Sequence, residues 1–433
     1  MNDSYFRIQG LAGKRVLKGT IPVNGAKNAA LKAIAATVLF RDEVTLKRVP
    51  LIEDVFRIAD LLESAGGDVH ADTSRRMFKI RIPDNISGDL DPSIARQIRS
   101  SIVLTGPLLA RTGQVSFPHP GGCVIGERSI DLFLDSFRAL GASVRHRGDK
   151  YVITAPQGGL VGTTLFLKSP SVTATETLMM AGVLSKGQTV IRNAAMEPEI
   201  AHLATFLNAC GARIDGAGTP VIRIRGRSLL RSRGKAYVTL PDRIEAGSFI
   251  ILAALAAKDV TVAHCDPSHI ESLLYTLESI GVSIKVGKDS VRITSPRRLP
   301  YKATSFKTHE YPGFPTDLQA PMTTLLTQAD GESLVFETIF EGRLNYVESL
   351  KRMNASIQVM DPHRVLVNGP TELVGRRLES PDLRAGLAFV IAATIARGVS
   401  YVHNAYNIDR GYEAIEERFS SIGVDIERVN GAD

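Results

Sequence analysis

The loop His119-Pro120-Gly121-Gly122-Cys123-Val124-Ile125-Gly126-Glu127-Arg128 joins a thiol to a guanidinium across flexible backbone. Glycines let a loop approach a ligand closely. The thiolate is the reactive form of cysteine, and a nearby cation favours it or binds an anionic partner of the thiol. A surface turn with an incidental cysteine would look the same from the loop alone. The chain has only 3 cysteines, so no disulfide framework is implied. Cys210 lies in an apolar helical pattern and Cys265 just after an apolar strand pattern.

A second group of polar residues opens the apolar helical runs. These are Lys27 and Asn28, Arg96 and Arg99, Ser171 and Thr173, Asp242, Arg243 and Glu245, Asp317, and Asp382 with Arg384. A helix N-terminus presents unpaired N–H groups and the positive dipole end, so it attracts anions. Ser171 and Asp317 read equally well as ordinary caps. Lys27 and Arg99 do not, because a cation there opposes the dipole, and an anion is expected nearby. No His/Cys spacing suggests a metal site. His119 stands close enough to Cys123 to tune it, or is a solvated loop histidine. The alternating Arg223, Arg225 and Arg227 read as the wet face of a strand.

These groups must be positioned by a repeat. A helix end, then Gly or Asn, a small residue and an alternating strand recur at Gly66, Gly141, Gly211, Gly281, Asn354 and Gly423, about 70 residues apart. Gly or Asn in that column predicts a left-handed helix C-cap. Upstream lie a helix, such as 199–208 or 268–279, and before it a strand: 44–46, 115–117, 189–191, 260–262, 334–336 and 399–402. Earlier still comes a more apolar helix, beginning near Lys27, Arg96, Ser171, Arg243, Asp317 and Asp382. Runs such as AALKAIAATVLF, ETLMMAGVLS, FIILAALAA and GLAFVIAATIA are apolar all round and predict buried helices with sheets outside. The class is α/β in two similar halves. One is residues 27–239, which carries the Cys123 loop. The other is 1–26 plus 240–433, with the N-terminal strand included.

Composition agrees with a cytoplasmic enzyme. At 433 residues the chain exceeds one ordinary domain. Its 52 Lys and Arg against 45 Asp and Glu leave a surplus too small to demand nucleic acid, and one that suits an anionic small molecule. No uncharged apolar run reaches the roughly 18 residues of a membrane helix, and MNDSYFRIQG has no apolar signal core.

The segments GAKNAAL (25–31), GGCVIGER (121–128), EPEI (197–200), LPDRIEAG (240–247), FPTDLQ (314–319), FEGR (340–343), DLRAG (382–386) and IDRGYE (408–413) resemble the enolpyruvyl transferases. The resemblance spans essentially the whole chain. The cysteine loop points to the branch that acts on UDP-N-acetylglucosamine in peptidoglycan precursor synthesis. It implies an inside-out α/β barrel of two domains, each of three βαβαββ units, with the active site in the cleft between them. It implies phosphoenolpyruvate and UDP-N-acetylglucosamine as substrates, with no metal, no cofactor, no nucleic acid and no membrane. By that resemblance Lys27, Arg128 and Arg410 hold phosphoenolpyruvate, and Asn28 touches both substrates. Cys123 protonates the methylene carbon or forms an adduct at C2. Asp317 is the base for the sugar 3-hydroxyl. Arg99 and Arg343 are further cationic contacts, and Asp382 and Arg384 serve closure and phosphate contact. Ser129, Ile130, Asp131, Leu132, Ser171, Val172, Thr173 and Ile339 line the nucleotide-sugar side.

The chain departs from the family pattern beside the nucleotide. Ser129 stands for a proline, Phe133 for a histidine and Thr173 for a glycine, and Lys168 is shifted by one apparent insertion. Two other readings therefore stay open at this point: transfer to another nucleotide or sugar acceptor, and a non-catalytic nucleotide-sugar-binding relative. Joint retention of Lys27, Cys123, Asp317 and Arg410 argues against the second.

Overall fold

A computed structural model describes residues 4–121, 126, 129–296 and 299–430. Cys123 and Arg128 lie outside the described residues. The chain divides into two units, one essentially Gly25–Leu240, the other the segments before Gly25 and after Leu240. Each has its own hydrophobic core.

The repeat is present in both units, and its caps have the expected backbone. Gly66, Gly141, Gly211, Gly281, Asn354 and Gly423 have φ of 101°, 93°, 109°, 104°, 80° and 102°. A left-handed residue frees the chain to leave the helix and turn back as a strand. The six predicted strands occur as Val44–Lys47, Gln114–Pro118, Gln188–Arg192, Ala257–Ala263, Ala329–Phe336 and Val399–His403. Each is antiparallel to a neighbour that also pairs with an outer antiparallel strand. Five of the six also carry a short parallel strand on the other side.

Two pairings close the units on themselves. Ala236–Val238, from the third repeat, pairs with Val44–Lys47 of the first. The leading strand Tyr5–Gln9 lies between Val399–His403 and Asp425–Val429, so the last sheet is completed by the first residues of the chain.

The apolar helices are buried on every side. Leu383–Ile395 is covered from Arg384 onward, and Arg243–Ala256 from Ile244 onward. Each begins on an aspartate cap: Asp382 accepts from the N–H groups of Arg384 and Ala385, Asp242 from those of Ile244 and Glu245. Lys27–Ala36, Val172–Leu184, Arg243–Ala256 and Leu383–Ile395 start where the sequence places them. The other two start late. The second-repeat helix runs Thr105–Thr112 behind a 3₁₀ stretch Arg99–Leu104, and the fifth runs Gln319–Leu326 behind Thr316–Leu318. Pro107 and Pro321 give the reason. Proline lacks an N–H and fits only the first helical turn, so both helices can begin no earlier. No described helix is long and apolar enough to cross a membrane.

Candidate active site

In the unit spanning 25–240, Lys27 is the first residue of its helix and only 8% exposed. Ala26 before it supplies no side-chain cap. The cation is opposed by the protein itself: Nζ lies 2.6 Å from Oδ2 of buried Asp54, in the first turn of Glu53–Ser64. That carboxylate is the anion expected near a lysine at a helix start, and the sequence reading did not identify it. Asn28 is half-buried beside it. Two residues before Lys27, a Cβ on Gly25 would stand 2.0 Å from the Arg48 carbonyl oxygen, so the entry to this helix tolerates only glycine.

Arg99 opens its 3₁₀ turn and donates from Nη1 to the Pro120 carbonyl at 3.3 Å, at the base of the thiol loop. Ser129 donates to Asp131 Oδ2 at 2.6 Å and accepts from the Asp131 N–H, ordering the start of Asp131–Ala139. Ile130 and Phe133 are core residues, and Leu132 is half-buried. Ser171 caps Val172–Leu184 by accepting from the Ala174 N–H, with Val172 and Thr173 half-buried in the first turn. Lys168 is exposed.

Deeper in this unit lies a charged cluster that the sequence reading missed. Lys32 Nζ is 3.2 Å from Oε2 of Glu176, with side chains 5% and 0% exposed. The ammonium opposes the charge of a carboxylate that is fully buried. Burial pushes the Glu176 carboxyl up to about 7; Lys32 pulls it back, and Glu199 and Glu197 of the EPEI segment add to the rise. The signal was present: one charged residue inside each of two otherwise apolar runs.

In the other unit, Asp317 sits in the 3₁₀ turn Thr316–Leu318 between two buried guanidiniums. Arg343 Nη2 donates to Oδ1 at 2.7 Å, and Arg384 Nε to Oδ2 at 3.2 Å. Burial raises the Asp317 carboxyl, and Arg384, Arg343 and Arg243 more than reverse this, holding it well below the usual carboxylate range. Arg384 also donates from Nη1 to the hydroxyl of fully buried Tyr412 at 2.8 Å, and its own backbone N–H bonds to the Asp382 cap. Asp382, Arg384, Asp317 and Arg343 thus form one connected group.

Buried Glu337, which no sequence signal marked, organises the turn beside it. Its carboxylate accepts from Thr308, from Thr316 next to Asp317, and from the N–H groups of Ile339 and Phe340. Arg410 follows the short helix Ala405–Asp409 and is half-buried. Among the described residues no group of His, Cys, Asp and Glu is arranged to hold a metal ion. Chemically, the second group presents guanidiniums with a carboxylate between them, and guanidiniums suit an anionic ligand.

Residues 11–419 match the family model described as EPSP synthase (3-phosphoshikimate 1-carboxyvinyltransferase). The chain is 42% identical over 423 residues to UDP-N-acetylglucosamine 1-carboxyvinyltransferase 1 of Symbiobacterium thermophilum, covering 97% of this chain and 94% of that one. It is 42% identical over 417 residues to UDP-N-acetylglucosamine 1-carboxyvinyltransferase of Finegoldia magna, covering 95% and 96%. Among solved structures, it superposes on the enolpyruvyl transferase NikO from Streptomyces tendae with a TM-score of 0.86 at 22% identity over 100% of both chains. EPSP synthase of Acinetobacter baumannii superposes with a TM-score of 0.74 at 17% identity, over 98% of this chain and 100% of that one. Both structures share the mixed α/β fold.

Proposed function

We infer that this chain, which belongs to the EPSP synthase family of carboxyvinyltransferases, transfers the enolpyruvyl group of phosphoenolpyruvate to the 3-hydroxyl of UDP-N-acetylglucosamine and releases phosphate. The reaction commits the sugar to peptidoglycan precursor synthesis, and both substrates are small anions. Identity of 42% to two transferases of that name, over nearly the whole length of each, supports the activity.

The step is addition followed by elimination. The sugar oxygen bonds to C2 of phosphoenolpyruvate as its proton leaves, and a proton is added to the methylene carbon, giving a tetrahedral ketal. Loss of a methyl proton and of phosphate restores the vinyl group. Asp317 is the base for the hydroxyl, and Cys123 with its loop cation Arg128 handles the proton at the methylene carbon. Lys27, Arg128 and Arg410 bind the phosphate and carboxylate, with Asn28 between the two substrates. Arg99, Arg343, Asp382 and Arg384 complete the cationic set. Ser129, Ile130, Asp131, Leu132, Ser171, Val172, Thr173 and Ile339 serve the nucleotide sugar.

The observation that carries the assignment of Asp317 is its placement between Arg343 and Arg384. In that state the carboxylate is a weak base. Phosphoenolpyruvate brings the anionic groups that compete for those guanidiniums, and sharing their charge restores basicity when the substrate is present. Each unit is read as an inside-out α/β barrel, helices within and sheets without. The roles draw on both halves, 27–239 and 1–26 with 240–433. The cytoplasm, where nucleotide sugars and phosphoenolpyruvate are made, is the proposed compartment.

Phosphate release from phosphoenolpyruvate, with and without UDP-N-acetylglucosamine, tests the reading. Release that requires that sugar supports it. Release only with another nucleotide sugar, or none with any, overturns it.

A further inference from the structure

Arg428 lies 18 residues beyond Arg410 in sequence, yet it meets the segment that carries Arg410. It sits on the strand Asp425–Val429, its guanidinium 4.7 Å over the ring of buried Phe6, with 23% of its side chain exposed. Nη1 and Nη2 donate to the two oxygens of Asp409 at 2.8 and 2.7 Å. Nε and Nη2 donate to the two oxygens of Glu416 at 2.6 and 3.2 Å. One planar fork thus holds two carboxylates, each in bidentate fashion.

Asp409 is the residue immediately before Arg410, and Glu416 lies in the first turn of the next helix, Ile415–Ser420. Arg428 therefore grips both ends of the segment 410–415. The same segment is tied at its middle, where the Tyr412 hydroxyl accepts from Arg384. Its backbone cannot rotate freely either: Ala414 is left-handed at φ 43°, and a Cβ on Gly411 would stand 2.3 Å from Leu383. An exposed ion pair contributes little, but a bidentate network on a planar guanidinium sets geometry.

We propose that Arg428 is a positioning residue for phosphoenolpyruvate capture, fixing the segment that presents Arg410 by holding Asp409 and Glu416 together. The proposal rests on the reading of Arg410 as a phosphoenolpyruvate cation. Misplacing a binding group by about 1 Å can cost up to about 100-fold. Arg428 does not touch substrate in this scheme, so the positioning role predicts a loss confined to phosphoenolpyruvate among the two ligands.

The test uses steady-state kinetics of the full chain, with UDP-N-acetylglucosamine affinity measured separately by calorimetry. Arg428→Gln should raise KM for phosphoenolpyruvate by about tenfold or more, with nucleotide-sugar affinity within about twofold of wild type. Arg428→Lys should not rescue, because an ammonium cannot grip two carboxylates in bidentate fashion. Asp409→Asn keeps the Arg428–Glu416 contact and serves where Arg428→Gln fails to fold; it should raise the same KM. The double variant should be no worse than the stronger single one. Unchanged KM in both single variants overturns the proposal, as does an equal loss of nucleotide-sugar affinity. Arg410→Ala separates the two layers. If it raises KM while Arg428→Gln and Asp409→Asn do not, the positioning role is wrong and the Arg410 assignment stands. If Arg410→Ala leaves KM unchanged, the Arg410 assignment fails and the positioning role with it.

Discussion

Replacing Glu176 by glutamine should abolish a pH dependence of stability that the wild type carries between mildly acidic and mildly alkaline solution. Burial is the largest influence on this carboxyl and pushes it from 4.5 to about 7, against the pull of Lys32. The folded state therefore holds the proton more tightly than the unfolded chain does. That contribution is fully present below about pH 4.5, and it is lost as the pH rises through about 7. The gap between the two values is worth up to about 3 kcal/mol. Glutamine keeps the shape and has no proton to release, so the variant's stability should vary less over this range by that amount. The slope is the readout and not the level, because the substitution also removes the Lys32 contact. The chain has no tryptophan, so urea unfolding is followed by far-UV circular dichroism at several pH values from 4.5 to 8.5. Two units can melt separately. Hydrogen exchange of peptides covering Lys27–Ala36 and Val172–Leu184 assigns the affected transition. Equal slopes in wild type and variant, or a difference carried by the unit that contains Asp317, would refute the reasoning.

Asp317→Asn should lower turnover by about 10²–10⁴-fold while calorimetry finds nucleotide-sugar affinity near wild type; turnover that survives removes the base assignment. A phosphonate epoxide such as fosfomycin should alkylate Cys123 alone, read by mass spectrometry. Cys210 and Cys265 are each 2% exposed with thiols pushed by burial up to about 11, so an adduct on either contradicts the thiol assignment. Gly25→Ala should cost about 1–3 kcal/mol and raise KM for phosphoenolpyruvate, because the clash with the Arg48 carbonyl displaces the entry to the Lys27 helix. An unchanged melting temperature and KM would show that the backbone there yields.

The repeat was legible because its signals are local. A glycine or asparagine that must be left-handed and strands that alternate in polarity depend on neighbours in sequence, and Asn354 adopted that backbone as readily as the five glycines. The late starts of the second and fifth buried helices were legible in principle, since Pro107 and Pro321 restrict where a helix may begin, but Arg96 and Asp317 drew attention to polarity instead. Long-range pairings were not legible. Nothing in the sequence joins Lys27 to Asp54 or Arg428 to Asp409, because those contacts depend on how strands and helices are brought together. Glu337 was invisible for the same reason, and Tyr412, although it stands in IDRGYE, carried no sign of its bond to Arg384. The Lys32–Glu176 pair lies between these cases: each residue interrupts an apolar run, yet only packing makes them meet. Cys123 and Arg128, the most conspicuous residues of the sequence, lie outside the described residues.

The leading strand has a consequence for synthesis. Tyr5 pairs with His403 on one side and with Val429 on the other. A ribosome adding about 5–20 residues per second would release Tyr5–Gln9 on the order of half a minute before either partner exists. Over that interval the segment from Gly25 to Leu240 can complete its sheets, since its last strand, Ala236–Val238, closes onto Val44–Lys47. This strand therefore exists long before both of its partners and can be placed only after they are made. Until then it is an unpaired edge available to any other strand. A bulky fusion at the front of the chain would consequently act on the sheet that this strand completes, and leave the other half untouched.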